Sequence, residues 1–112
     1  MSRCRRCTPV PEEVRRAADL LERRWLLSIV YAAHSGALRF NEFRQVLGAI
    51  PPRTLVARLV ELENAGLLVR IVVHSRPPLV EYHLTEQGRR LEAIVNALHL
   101  WALERPPSAA GS

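Results

Sequence analysis

The sequence predicts an α+β fold, mostly helical with one two-stranded β-hairpin, and three observations carry that expectation. The stretch Leu38 to Leu68 reads as two short helices joined by a tight corner. Two runs of strand character, Leu67 to Val73 and Leu79 to Leu84, flank the polar, proline-rich His74-Ser75-Arg76-Pro77-Pro78. Segments of helical period lie on either side of this central block.

Taken in order, Met1 to Pro11 is an arginine-rich tail without periodicity, expected to be mobile. The helical pattern begins at Glu12. Val14, Ala17, Ala18, Leu21 and Trp25 share one stripe, and Leu26, Ile29, Val30 and Ala33 continue it at a rotated angle. Glu22-Arg23-Arg24 is either a break between two helices or a charged turn of one long helix. In both cases the segment is apolar over more than one face, whereas a surface helix of a small monomer needs only one. A subunit contact is the expected use of the excess.

His34-Ser35-Gly36 ends that segment, and Leu38-Arg39-Phe40 leads into the first central helix, with Asn41 placed as its N-cap and Phe43, Val46 and Leu47 as its apolar trio. Gly48-Ala49-Ile50 turns the chain. Pro51-Pro52 then opens a second helix running to about Ala65, since proline is favoured at the first helical position, and Gly66 closes it. Leu55, Leu59 and Leu62 form its inner stripe. At 3.6 residues per turn, Arg53, Thr54, Ala57, Glu61 and Asn64 fall opposite, with Arg58 on the flank. Two helices around a short corner, with small or basic outward residues on the second, make a helix-turn-helix. The hairpin directly after it is a wing, with Val69, Ile71 and Val73 on one face of its first strand and Val80, Tyr82 and Leu84 on one face of its second.

Thr85 is the next N-cap. The final helix is expected to run unbroken to about Glu104, where Pro106-Pro107 stop it, with Leu91, Ile94, Val95, Leu98, Trp101 and Ala102 on its apolar stripe. A helix of that length and character needs a long partner, and the economical arrangement is a two-fold dimer built from the N- and C-terminal helices. Val14, Leu21, Trp25, Ile94, Leu98 and Trp101 are the candidate interface residues. The organisation is a basic tail over 1–11, one domain over 12–105 and a disordered tail over 106–112.

At 112 residues the chain is most simply one domain, within the size range where a partner chain helps stability. Its formal charge is +5 and all 16 basic residues are arginine, a balance that favours an anionic partner and suits bidentate contacts to phosphate or guanine. The longest apolar run, Trp25 to Ala33, is too short for a bilayer, and no apolar segment follows the N-terminal arginines as a signal peptide requires. A cytoplasmic protein without membrane association is expected. Two cysteines do not make a disulfide framework, which fits a reducing compartment.

Trp25-Leu26-Leu27, Arg39-Phe40-Asn41-Glu42-Phe43, the run Leu59 to Leu67, the run Pro77 to Thr85, and Gly88 together make the chain similar to the HxlR-type winged-helix regulators, bacterial transcription factors related to the MarR group. The resemblance spans about Glu12 to Trp101 and is most specific at Pro77 to Thr85. It implies a dimeric, nucleoid-associated DNA-binding regulator of nearby genes, often responsive to electrophiles or oxidants. Glu22-Arg23-Arg24 departs from the glycine pair and lysine usual in that family. Pro51 stands where a serine or threonine cap is common, and such a cap is worth ~0.5–2 kcal/mol.

The candidate DNA contacts are Arg53, Thr54 and Ala57 toward base edges, Arg58 toward a phosphate, Arg76 at the wing tip, and Arg44 and Arg39 as further phosphate ligands. Glu61 on the same face is expected to repel phosphate and to limit insertion. Cys4 and Cys7, flanked by Arg3, Arg5 and Arg6, form a C-x-x-C whose surrounding charge favours thiolate, so they are the candidate redox switch. The redox-sensing cysteine of the similar family sits nearer the position of Glu12. A zinc site would need two further ligands, and His34, His74, His83 and His99 show no paired spacing with the cysteines. No cofactor is implied, and no phosphate loop, metal motif or activated nucleophile supports an enzyme. Two alternatives stay open: a ligand-controlled regulator with no thiol switch and an unknown effector, and a winged-helix protein-interaction module without DNA binding.

Overall fold

The computed structural model describes residues 6–106. Its elements, in chain order, are α1 (Glu12–Leu21), α2 (Leu26–His34), α3 (Phe40–Leu47), α4 (Pro52–Asn64), β1 (Leu68–Val73), β2 (Leu79–Leu84), α5 (Glu86–Arg89) and α6 (Glu92–Glu104). This is a winged helix-turn-helix. α2 runs through its centre, burying Leu26, Ile29, Val30, Ala32 and Ala33, and Phe43 of α3, Ile50 of the corner, Leu55, Leu59 and Leu62 of α4, Leu68 of β1 and Val95 of α6 close around it.

The α1–α2 junction is a break. Helical bonding ends with Glu22 N–H on Ala18 O, Leu26 N–H turns back to Arg23 O at 3.0 Å, and Trp25 sits at φ 76. A left-handed conformation costs a non-glycine residue roughly 1–2 kcal/mol. Packing of the half-buried Trp25 against the core opposes that cost.

The helix-turn-helix begins two residues earlier than expected. α3 starts at Phe40, so Asn41 lies exposed within its first turn and is not the N-cap. The capping is done by Glu42, whose Oε1 accepts the backbone N–H groups of Leu38 and Arg39, both at 2.9 Å. These bonds favour the charged carboxylate and hold its pKa below the ordinary value. Directly after α3, the corner passes through Gly48 at φ 69 and buries Ile50 beneath it. α4 then opens on Pro52 as the sequence predicts, and Gly66 at φ 78 closes it. Gly66 N–H bonds Glu63 O and Leu67 N–H bonds Leu62 O, the paired hydrogen bonds of a Schellman motif.

In the antiparallel wing, Leu68 pairs with Leu84, Arg70 with Tyr82 and Val72 with Val80. Leu68, Tyr82 and Leu84 meet the core, so the face carrying Val69 and Ile71 turns away from it. Tyr82 N–H donates to Leu38 O at 2.8 Å, tying the wing to the start of the helix-turn-helix.

The C-terminal segment is not one helix. Thr85 caps α5 as expected, accepting Gly88 N–H at 3.0 Å while its hydroxyl donates to Gly66 O. Gly88 packs on the backbone of Leu67, and the chain tightens through Arg90 and Leu91, with Leu91 N–H bonding Gly88 O, before α6 begins. Docking of α5 beneath the wing interrupts what the periodicity presents as continuous. α6 places Val95 in the core and leaves Ile94, Leu98 and Trp101 exposed along one side. No helix among the described residues is long and apolar enough to cross a membrane.

Candidate nucleic-acid interface

α4 is held by its inner stripe and presents the opposite side to solvent. Arg53 occupies the second helical position and is exposed, Ala57 is exposed one turn on, and Thr54 is half-buried. Arg76 is exposed at the wing tip, where Ser75 Oγ donates to Pro77 O at 2.7 Å and closes the loop. Arg44 is exposed on α3. Arg39 lies at the base of the wing, its Nε 3.9 Å from Glu81 Oε2, and Glu81 also meets His83 Nε2 at 2.9 Å.

Arg58 departs from the sequence reading. Its side chain is only 15% exposed, Nε donates to Arg24 O at 2.8 Å and a terminal nitrogen meets Glu61 Oε1 at 3.0 Å. It is a strut between α4 and the α1–α2 junction, not an outward phosphate ligand. Glu61 departs as well, because the same Oε1 accepts Arg23 at 2.8 Å, so its charge is met by two arginines. The outward face of α4 includes two residues that the sequence reading omitted, Val56 and Val60, 51% and 45% exposed. On the helical wheel both fall beside Arg53, on the side away from Thr54 and clear of the buried leucines, and this was the available signal.

The helix-turn-helix with its wing has clear counterparts among known proteins. A model of the HxlR-like helix-turn-helix family matches residues 20–108. The chain belongs to this family. The HTH-type transcriptional regulator YybR of Bacillus subtilis is 43% identical over 83 residues, covering 74% of this chain and 66% of YybR, just under two thirds of its length. YvaP of the same organism is 37% identical over 89 residues, covering 80% of this chain and 82% of YvaP. Among solved structures, the redox regulator HypR in its oxidized form superposes with a TM-score of 0.79 at 38% identity, covering 86% of this chain and 99% of that one. The reduced form of YodB from B. subtilis gives 0.74 at 32% identity, covering 84% and 92%. These relatives are named regulators and not enzymes.

In this HxlR-like chain the junction that departs from the family pattern is cross-linked by charge. Arg23 sits in the α1–α2 turn and Glu61 on α4, 38 residues apart, joined by two hydrogen bonds of 2.8 and 3.4 Å. The Arg23 hydrogen bond, foremost, together with the charges of Arg58 and Arg23, outweighs desolvation and lowers the Glu61 pKa, while Glu61 raises that of Arg23. A lowered carboxylate pKa contributes stability that is present above its ordinary value of 4.5 and lost as the pH falls through the native value. Glu61→Gln is therefore expected to melt below the wild type at pH 7, with the gap closing on acidification. Parallel melting curves at pH 7 and pH 3 measure this, and a gap of equal size at both would remove the charge from the explanation.

Of the expected dimer residues, Leu21 and Trp25 are half-buried against the chain's own core, whereas Val14, Ile94, Leu98 and Trp101 are exposed. Cys7 is exposed and disulfide-bonded ahead of α1, and Cys4 lies outside the described residues.

Proposed function

We propose that this protein is a cytoplasmic, homodimeric repressor that inserts α4 into the major groove of each half of a pseudo-palindromic operator, with the wing tip beside the adjacent backbone. The observation that carries the reading is the outward side of α4, which begins with an exposed Arg53 at the helix N-terminus and holds no acidic residue from Pro52 to Val60. A helix N-terminus and a guanidinium both attract the negative duplex, and N-terminal residues of a recognition helix reach base edges. Arg76 and Arg44 add positive charge on neighbouring elements. The exposed Ile94, Leu98 and Trp101 on α6, with Val14 on α1, supply the apolar surface for pairing two copies. In such a dimer the half-sites lie about 34–36 Å apart, or a multiple of that.

A thiol-controlled form of this reading is favoured by Cys7, exposed beside Arg6 and engaged in a disulfide, and by the likeness to HypR, named a redox regulator. Selection from a random duplex library tests the whole. Enriched DNA should be bound with an affinity that falls about 10³–10⁵-fold between 50 and 200 mM salt if six to ten phosphates are contacted. A protein-interaction module would enrich nothing. After reduction, diamide should release the enriched DNA from the wild type and not from a Cys4→Ser/Cys7→Ser variant; release from neither leaves a regulator without this switch.

A further inference from the structure

The face that α4 presents is basic at its start and aliphatic along its middle. Arg53 is followed by Val56, Ala57 and Val60, all exposed, while the remaining positions from Thr54 to Leu59 are buried or half-buried. Exposed valines in a helix gain nothing from the core and lose side-chain freedom against the preceding turn. From Pro52 to Val60 the helix has no asparagine, glutamine, aspartate or glutamate. Apart from the half-buried Thr54, it therefore lacks the side chains that hydrogen-bond the adenine N6/N7 edge or cytosine N4. Arg53 retains the one bidentate match it can make, to guanine O6 and N7.

An aliphatic surface has one apolar counterpart on the major-groove edges of unmodified DNA, the thymine C5-methyl group. We propose that Val56, Ala57 and Val60 form a methyl-reading surface, so that specificity comes from thymine methyl groups beside a guanine read by Arg53. This rests on the DNA-binding reading above and adds the chemistry of the sequence recognised. Val56 and Val60 are four residues apart, about 6 Å along the axis at 1.5 Å per residue. That is close to two base steps of ~3.4 Å, so each half-site should offer methyl groups from base pairs within two to three positions of one another. Duplex DNA is favoured over an apolar protein as the occupant because the strip continues directly from Arg53 and the positive end of the helix. The nearest carboxylate, Glu61, is turned to Arg23 and Arg58.

The test uses the duplex enriched by the wild-type protein from a random library, resynthesised with deoxyuridine in place of thymine one position at a time. This removes the methyl group and keeps every hydrogen bond. At one or two positions per half-site, wild-type affinity should fall about fourfold, the effect of ~0.8 kcal/mol for one buried methyl-sized group at 1.4 kcal/mol per decade. Val56→Ala and Val60→Ala should each lose sensitivity at one of those positions while melting as the wild type does, since both side chains are exposed. Affinity unchanged at every deoxyuridine position, or variants that remain as sensitive as the wild type, would overturn the methyl-reading surface and leave DNA binding standing. No enriched duplex at all would overturn DNA binding and this inference together.

Discussion

Gly88→Ala should destabilise the protein by about 3 kcal/mol, at the upper end of the usual cost of overpacking. Gly88 is buried against the carbonyl of Leu67, and an added Cβ would overlap that oxygen and press on Leu84 Cδ2. The obstacle is backbone, already fixed on one side by the Schellman bond to Leu62 O and on the other by Thr85 N–H, which donates to Leu67 O at 3.1 Å. Neither a rotamer change nor a local hinge relieves it. α5 has to lift from the wing base, loosening the link between the helix-turn-helix and α6. For a domain of this size, 3 kcal/mol corresponds to a melting temperature lower by roughly 12–24 °C, at 4–8 °C per kcal/mol. Gly66→Ala makes the informative comparison: at φ +78 it has open space around the added carbon. It should cost only ~1 kcal/mol, the left-handed penalty reduced by the lower entropy of the unfolded chain. Melting curves at one fixed protomer concentration check both, and equal losses would mean that the Gly88 contact is not tight.

Arg53→Ala should weaken binding to the enriched duplex by about 1–3 kcal/mol, roughly 5- to 150-fold, with little change in melting temperature. Two kinds of contact are separable here. If Arg53 reads guanine, the variant should tolerate any base at one position of the half-site and keep its salt slope. If it holds a phosphate, discrimination should survive and the logarithmic salt slope should fall by about one. Repeating the library selection with the variant and titrating salt with the wild-type duplex gives both readouts. An unchanged affinity would place α4 outside the groove. Arg58→Ala is a contrasting case, because its guanidinium is committed to Arg24 O and Glu61 within the fold.

The elements visible in the sequence were those whose signals lie within a few residues. Pro52 and Gly66 bracket α4 because the first lacks an N–H that the first helical position does not use and the second accepts a positive φ. The wing follows from β-branched and alternating runs around His74 to Pro78, and Thr85 from the ease with which a hydroxyl caps a helix. Asn41, a good cap in isolation, does not cap α3, because Glu42 can reach back to two N–H groups and a helix started at Phe40 satisfies more of the backbone. Val56 and Val60 face outward although apolar, because the buried leucines fix which side of α4 meets the core and the valines fall away from that side whatever their polarity.

By itself, then, the sequence determined the order of the elements, the boundaries of α4, the wing and its loop, and the placement of Arg53 at the exposed start of the second helix. These depend on local backbone conformation and on the phase of the apolar residues, both written in short stretches of chain. Only the tertiary structure decided that the N-terminal segment breaks at Trp25, that Gly88 docks on Leu67 and divides the last helix, and that Arg58 and Glu61 turn toward Arg23 and Arg24. The last two depend on which groups meet across 21 to 38 positions of chain, and the first on how Trp25 packs against the core. A charged side chain on a helix flank is directed by the partner it finds there, and the period of its own helix holds no record of that partner.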